Sequence, residues 1–168
     1  MAKRTLPWRK ILQYGIPLFL TALWLGFIFG NSLQNGIESG NQSHRALELL
    51  DRIFAFFGWQ NPISEGALRK LAHFGEFAIL AILYIGDLWA FGLISLSRPL
   101  GRSVLWLCSA VPACFLAACL DETLQLFSEG RAAQFSDAMI DTSGALVASL
   151  CYFLLFLLLR RRQKKKHP

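Results

Sequence analysis

Apolar residues come in four long blocks separated by shorter polar stretches, and the block lengths set the first expectation. A helix that crosses a bilayer needs roughly 20 mostly apolar residues at about 1.5 Å rise each. Residues 11–30 (ILQYGIPLFLTALWLGFIFG) meet that need, as do 71 to about 94, 103–127 and 135–159. The first block exceeds the roughly 7–15 residues of a cleaved signal. It continues as Asn31-Ser32-Leu33-Gln34 without a small-x-small site, so it reads as an uncleaved helix. A fifth element lies between the first two blocks. In Ser43–Trp59 the apolar positions 46, 47, 50, 53, 54 and 57 oppose His44, Arg45, Glu48, Asp51 and Arg52. That is helical spacing with a wide apolar face. The segment is too interrupted to span, and two placements fit it: on the outer interface with its aromatics in lipid, or packed on the bundle. Asn61-Pro62 breaks the chain and Ser64 restarts it as the second span.

The expected fold is therefore all-α: a polytopic membrane protein with four transmembrane helices plus one interfacial amphipathic helix. The membrane domain covers 11–159, flanked by basic tails at 1–10 and 160–168. Composition agrees with this. Of 168 residues 54% are apolar and 17% charged, against about a quarter charged in a soluble domain. A disordered chain and a small disulfide scaffold are both excluded. Cys108, Cys114, Cys119 and Cys151 all fall inside spans, with no CxxC pair and no nearby histidine at metal-ligand spacing. They are expected to be small buried hydrophobes.

Charge adds an orientation. Lys3, Arg4, Arg9 and Lys10 precede the first span, and Arg160–Arg162 and Lys164–Lys166 follow the last. Arg98 and Arg102 sit in the short connector between spans two and three, which holds no acid. Cytoplasmic loops retain Lys and Arg, and an even number of spans returns both ends to one side. Both termini are thus expected in the cytoplasm of a multi-pass cell-membrane protein. The net charge of +6 is explained by topology and by anionic lipid headgroups, so no nucleic-acid partner is implied.

Ionisable side chains inside a span are costly and need a reason. Span two opens with Lys70, His73 and Glu76. Span three closes with Asp121, Glu122 and Gln125, the connector carries Arg131, and span four opens with Asp137 and Asp141. Asn31, Ser32 and Gln34 leave span one. By the topology above, all of these reach one outer layer of the membrane, so a single extracytoplasmic polar pocket is expected. Gly144 and Ala148 would let a neighbouring helix approach closely. His73 could shuttle a proton with Glu76, Asp121 or Glu122 as partner. Arg131 and Lys70 could hold a phosphate or carboxylate. His73 with two or three carboxylates could bind a divalent metal, although one histidine is a thin basis for zinc. The plain alternative is that these groups pair only to pin helices together. Asp87 stands apart near the other end and is assigned no role.

Two motifs carry a family resemblance: Lys70-Leu71-Ala72-His73-Phe74-Gly75-Glu76-Phe77, and Asp121-Glu122-Thr123-Leu124-Gln125-Leu126-Phe127-Ser128-Glu129-Gly130-Arg131 followed by Asp137 and Gly144. With the polar exit Asn31–Gln34, these resemble the VanZ-like family over about residues 20–155. The resemblance implies a bacterial, membrane-embedded protein of unsettled biochemical activity, whose namesake is linked to low-level resistance to the glycopeptide teicoplanin. The motif positions carried over are Lys70, His73, Glu76, Asp121, Glu122, Gln125, Arg131 and Asp137. Asp141 stands where many members have Asn, and Glu76 where many have an aromatic, so both add negative charge.

Two main functions follow. In the first, His73, Glu76, Asp121 and Glu122 are catalytic and Lys70, Gln125, Arg131, Asp137 and Asp141 bind the substrate, a membrane lipid or lipid-linked envelope precursor. In the second, the same pocket binds a lipid or partner without catalysis. A small transporter ranks below both, because only Asp87 continues the polar path toward the cytoplasmic side. Cofactor and metal stay open.

Overall fold

The computed structural model describes residues 7–166. Residues 1–6, with Lys3 and Arg4, and the last two of the chain lie outside the described residues. The described residues form six helices in the order α1 (Pro7–Ser32), α2 (Gly36–Phe56), α3 (Glu65–Ala90), α4 (Leu100–Cys108), α5 (Ala110–Gln125) and α6 (Phe135–Lys166). Four stretches are long and apolar enough to cross a membrane: Trp8–Ser32, Glu65–Ala90, Leu100–Gln125 and Phe135–Lys165. The all-α membrane architecture is as expected, while several boundaries move.

The third span is two helices rather than one, broken at Ser109. Pro112 has no amide hydrogen and its ring crowds the carbonyl four residues back, at Cys108, so the ladder stops there. Ser109 fills the gap, donating its hydroxyl to the Trp106 carbonyl at 2.6 Å and lying 3.1 Å from the Tyr84 hydroxyl. The second span begins at Glu65, six residues before its apolar run. Ser64 caps it, its Oγ accepting from the Ala67 amide at 3.3 Å. Helix α6 continues through the basic stretch to Lys166.

The amphipathic element also starts earlier than Ser43. Asn35 caps α2, its side chain accepting from the Glu38 amide at 2.8 Å, an N-cap with an acid in the first turn. No residue of α2 is buried, which removes the reading in which its apolar face is bundle core. Ile37, Leu49, Ile53 and Phe56 are exposed, with Phe57 and Trp59 beyond them.

The core is built in two clusters. Ile28, Phe77, Leu80, Ala81, Cys114, Ala118, Ala138 and Ala145 fill one; Ile85, Leu88, Ile94, Leu107, Ala110 and Phe156 fill the other. The first is rich in alanine, which lets backbones approach. A close approach is made at Gly144 on α6, where an added Cβ would collide with the Phe74 carbonyl of α3. The expectation that all four cysteines are buried fails. Cys114 alone is buried, Cys119 is partly so, and Cys108 and Cys151 lie on the outer surface. In so thin a bundle each helix has one inner face, and apolar residues elsewhere on it face outward.

Candidate functional site

The polar residues of α1, α3, α5 and α6 meet at one end of the bundle. The contact at Gly144 explains how. Phe74 follows His73 directly, and Asp141 lies one turn before Gly144, so the tight crossing of α3 and α6 brings His73 against Asp141. The His73 Nδ1 is 3.3 Å from Asp141 Oδ1. The geometry is not that of a hydrogen bond, and both carboxylate oxygens of Asp141 and His73 Nδ1 are buried without a hydrogen-bond partner. Asp141 and Asp121 are each 0% exposed. Asp121 is held from two sides: Ser32 Oγ donates to Oδ1 at 2.5 Å and Gln125 Nε2 to Oδ2 at 3.1 Å. One potential ligand atom each from His73, Asp121 and Asp141 lies within 4.8 Å of the others.

The two glutamates flank this centre. Glu122 Oε2 accepts from the Gln134 amide at 2.7 Å, at the entry to α6, and its Oε1 accepts from Gln125 at 3.4 Å. Glu76 Oε1 accepts from Asn31 Nδ2 at 3.3 Å, while its backbone carbonyl takes the Trp24 indole proton at 2.9 Å. Among the described residues no Lys or Arg lies within ion-pair distance of any of these four acids; the imidazole–carboxylate contacts present, charged only when the histidine is protonated, are His73–Asp141 and, far off, His44–Glu48.

The cations sit above. A cleft of about 220 Å³ is lined by Arg69, Lys70, His73, Gln125, Arg131, Gln134 and Asp137, with Gly66 and Ile140. A second cleft of about 210 Å³ is shared between α1, α2 and α3, and Glu76, Asn31 and Ser32 line it. Arg69, His73 and Arg131 border both. Arg131 is partly committed. Its Nη1 donates to the Asn31 carbonyl at 2.8 Å and the Ser32 carbonyl at 3.3 Å, and Ser128 Oγ donates to the Ser32 carbonyl at 2.9 Å. Together they satisfy carbonyls that the end of α1 would leave orphaned. Burial, and then the neighbouring positive charge of Arg69, lower the Arg131 pKa from its ordinary value. The guanidinium stays charged.

The structure thus brings together His73, Glu76, Asp121, Glu122, Gln125, Arg131 and Asp141. Lys70 and Asp137 line the rim of the first cleft. Sequence reasoning missed Arg69 and Gln134. Arg69 had a signal, since 69, 73 and 76 follow the helical i, i+4, i+7 stripe. Gln134 contributes its backbone amide, which no side-chain motif reveals. Asp87 lies at the other end, accepting from Thr21 Oγ1 at 2.8 Å.

Fold and site define a polytopic helical membrane protein with a buried imidazole–carboxylate centre beneath a cationic rim. The sequence matches the VanZ/LLP1 family over residues 17–158, and the chain belongs to that family. A search of curated proteins finds no match, and neither does a search of solved structures.

Proposed function

We propose that this protein is a membrane enzyme acting on the headgroup of an envelope lipid or lipid-linked glycan precursor at the extracytoplasmic face. The observation that carries the proposal is the layering of charge. Arg69, Lys70 and Arg131 rim a cleft that opens onto His73. Cations at the mouth suit a phosphate, Arg by bidentate hydrogen bonds and Lys as a point charge. Acids and an imidazole below suit proton transfer.

The outward placement rests on charge. Gln13 of α1 reaches the Ala90 carbonyl at the end of α3, and Arg160 of α6 reaches the Arg98 carbonyl. These contacts gather Arg9, Lys10, Arg98, Arg102 and Arg160–Lys166 at the end opposite the polar centre. Retention of basic residues in the cytoplasm supports a topology with both termini inside and the centre outside. Helix α2 lies on the outer interface with Phe56, Phe57 and Trp59 in lipid. A part in glycopeptide resistance follows if the bound headgroup belongs to a cell-wall precursor.

Native mass spectrometry of the purified full chain is the test. Wild type should retain a phosphate-bearing envelope lipid that Arg69→Ala/Lys70→Ala loses. Headgroup turnover should then fall by about 10²–10⁴-fold in His73→Gln while the lipid is still retained. Wild-type turnover in His73→Gln would reduce the protein to a binder, and absence of lipid from wild type would overturn the headgroup reading.

A further inference from the structure

We infer that His73, Asp121 and Asp141 form a binding site for one divalent transition-metal ion. Three residues from three different helices, α3, α5 and α6, each bring a ligand atom to within 4.8 Å of the other two. At metal–ligand bonds of about 2.1 Å, two ligands of one tetrahedral ion lie about 3.4 Å apart. The 3.3 Å between His73 Nδ1 and Asp141 Oδ1 matches that edge.

The acid cluster alone would not carry this. The second observation is the state of Asp141: its side chain is 0% exposed and neither oxygen has a hydrogen-bond partner. A carboxylate without a hydrogen bond in such a place is expensive. The atom nearest to it, His73 Nδ1, is likewise buried and unpartnered. With His73 neutral and Nδ1 unprotonated, both atoms offer lone pairs to the same space, and with no Lys or Arg paired to the acids a cation is the group that satisfies both. Two carboxylates and a neutral imidazole also balance a divalent charge, which matters away from water.

Asp121 supplies the expected support around a ligand. Ser32 and Gln125 each hold one of its oxygens by a hydrogen bond, and such outer partners orient ligating carboxylates. One nitrogen with two carboxylate oxygens suits Zn²⁺ or Mn²⁺ better than an all-oxygen cage for Mg²⁺ or Ca²⁺. The ion would sit beside the cleft that Arg69, Lys70 and Arg131 rim, which His73 lines. The cation site does not depend on the headgroup reading, because it rests on the donors alone.

The test is titration of chelator-stripped full chain with Zn²⁺ and with Mn²⁺ in a non-ionic detergent, which offers no phosphate. Wild type should bind one equivalent of at least one of them. Asp141→Asn and Asp121→Asn should each weaken binding by at least 100-fold, whereas Asp87→Asn, at the other end of the bundle, should not change it. Ser32→Ala keeps all three ligands and should cost about 10–100-fold, which reads the site even if a ligand variant fails to fold. The Co²⁺-loaded protein should show a visible spectrum without thiolate charge transfer, since no cysteine is a ligand. No binding in wild type, equal binding in Asp141→Asn, or a thiolate signal would each overturn the site. Metal binding without lipid retention, or the reverse, separates this inference from the proposed function.

Discussion

The two ends of the bundle each bury an aspartate, and they treat it differently. At the end near Arg98 and Arg160, Asp87 is 7% exposed among Ile85, Leu88 and their neighbours. Thr21 holds one oxygen at 2.8 Å, and the other has no partner. Nothing else ionisable faces it among the described residues. At the opposite end Asp141 also lacks hydrogen-bond partners, but His73, Asp121, Glu76 and Glu122 surround it and three cations rim the approach. A single acid tied to a hydroxyl is what helix pinning requires. Five ionisable groups delivered by three helices exceed that requirement, and the excess is the argument for chemistry. An orphaned oxygen is common to both ends; convergence is what distinguishes them.

The comparison can be broken most forcefully at Gly144. Valine there has no room beside the Phe74 carbonyl, so α3 and α6 must separate and His73 loses Asp141. Overpacking of this kind should cost about 3 kcal/mol, read as a large drop in the thermal midpoint by tryptophan fluorescence in detergent. Gly86→Ala meets nothing within 4 Å and should gain stability from helix propensity, by roughly 1 kcal/mol. An unchanged midpoint in Gly144→Val would show that the crossing is loose.

A matched pair sharpens the contrast between the ends. Ser32→Ala removes the buried bond to Asp121, and Thr21→Val removes the one to Asp87. The first should destabilise by roughly 1.5–3 kcal/mol, as for hydrogen bonds to charged groups, the second by about 1 kcal/mol because the Thr21 hydroxyl is only half-buried. Headgroup turnover should fall with Ser32→Ala and hold with Thr21→Val. Equal effects on turnover would erase the difference between the ends.

The smallest effect is expected at the start of α2. Asn35→Ala removes the cap to Glu38 and should cost about 1 kcal/mol. A neighbouring contact remains in that variant: Gly36 donates to the Glu129 carbonyl at 2.9 Å and leaves no space for a Cβ beside Gly130. Hydrogen exchange at Ile37–Ser39 should therefore rise in Asn35→Ala while exchange in α3 stays unchanged.

How much of this was legible in the chain differs by scale. The four spans follow from run length, because hydrocarbon tolerates only helices whose backbone bonds are satisfied internally. The shared depth of His73, Glu76, Asp121, Glu122, Gln125 and Asp141 follows from alternating span direction, which needs only counting. The break at Ser109 was also within reach through Pro112, and the early start of α2 through Asn35 and Glu38, but both are local signals weaker than the apolar runs around them.

Hydropathy and charge by themselves determined a helical membrane protein with its polar groups at one end, because the bilayer acts on each segment separately. They could not decide which acid meets which partner. That His73 faces Asp141, that Ser32 and Gln125 hold Asp121, and that Arg131 spends a nitrogen on the end of α1 depend on rotation and distance between helices. Those are set by contacts such as Gly144 on Phe74, between residues far apart in the chain, and only the folded packing brings them together.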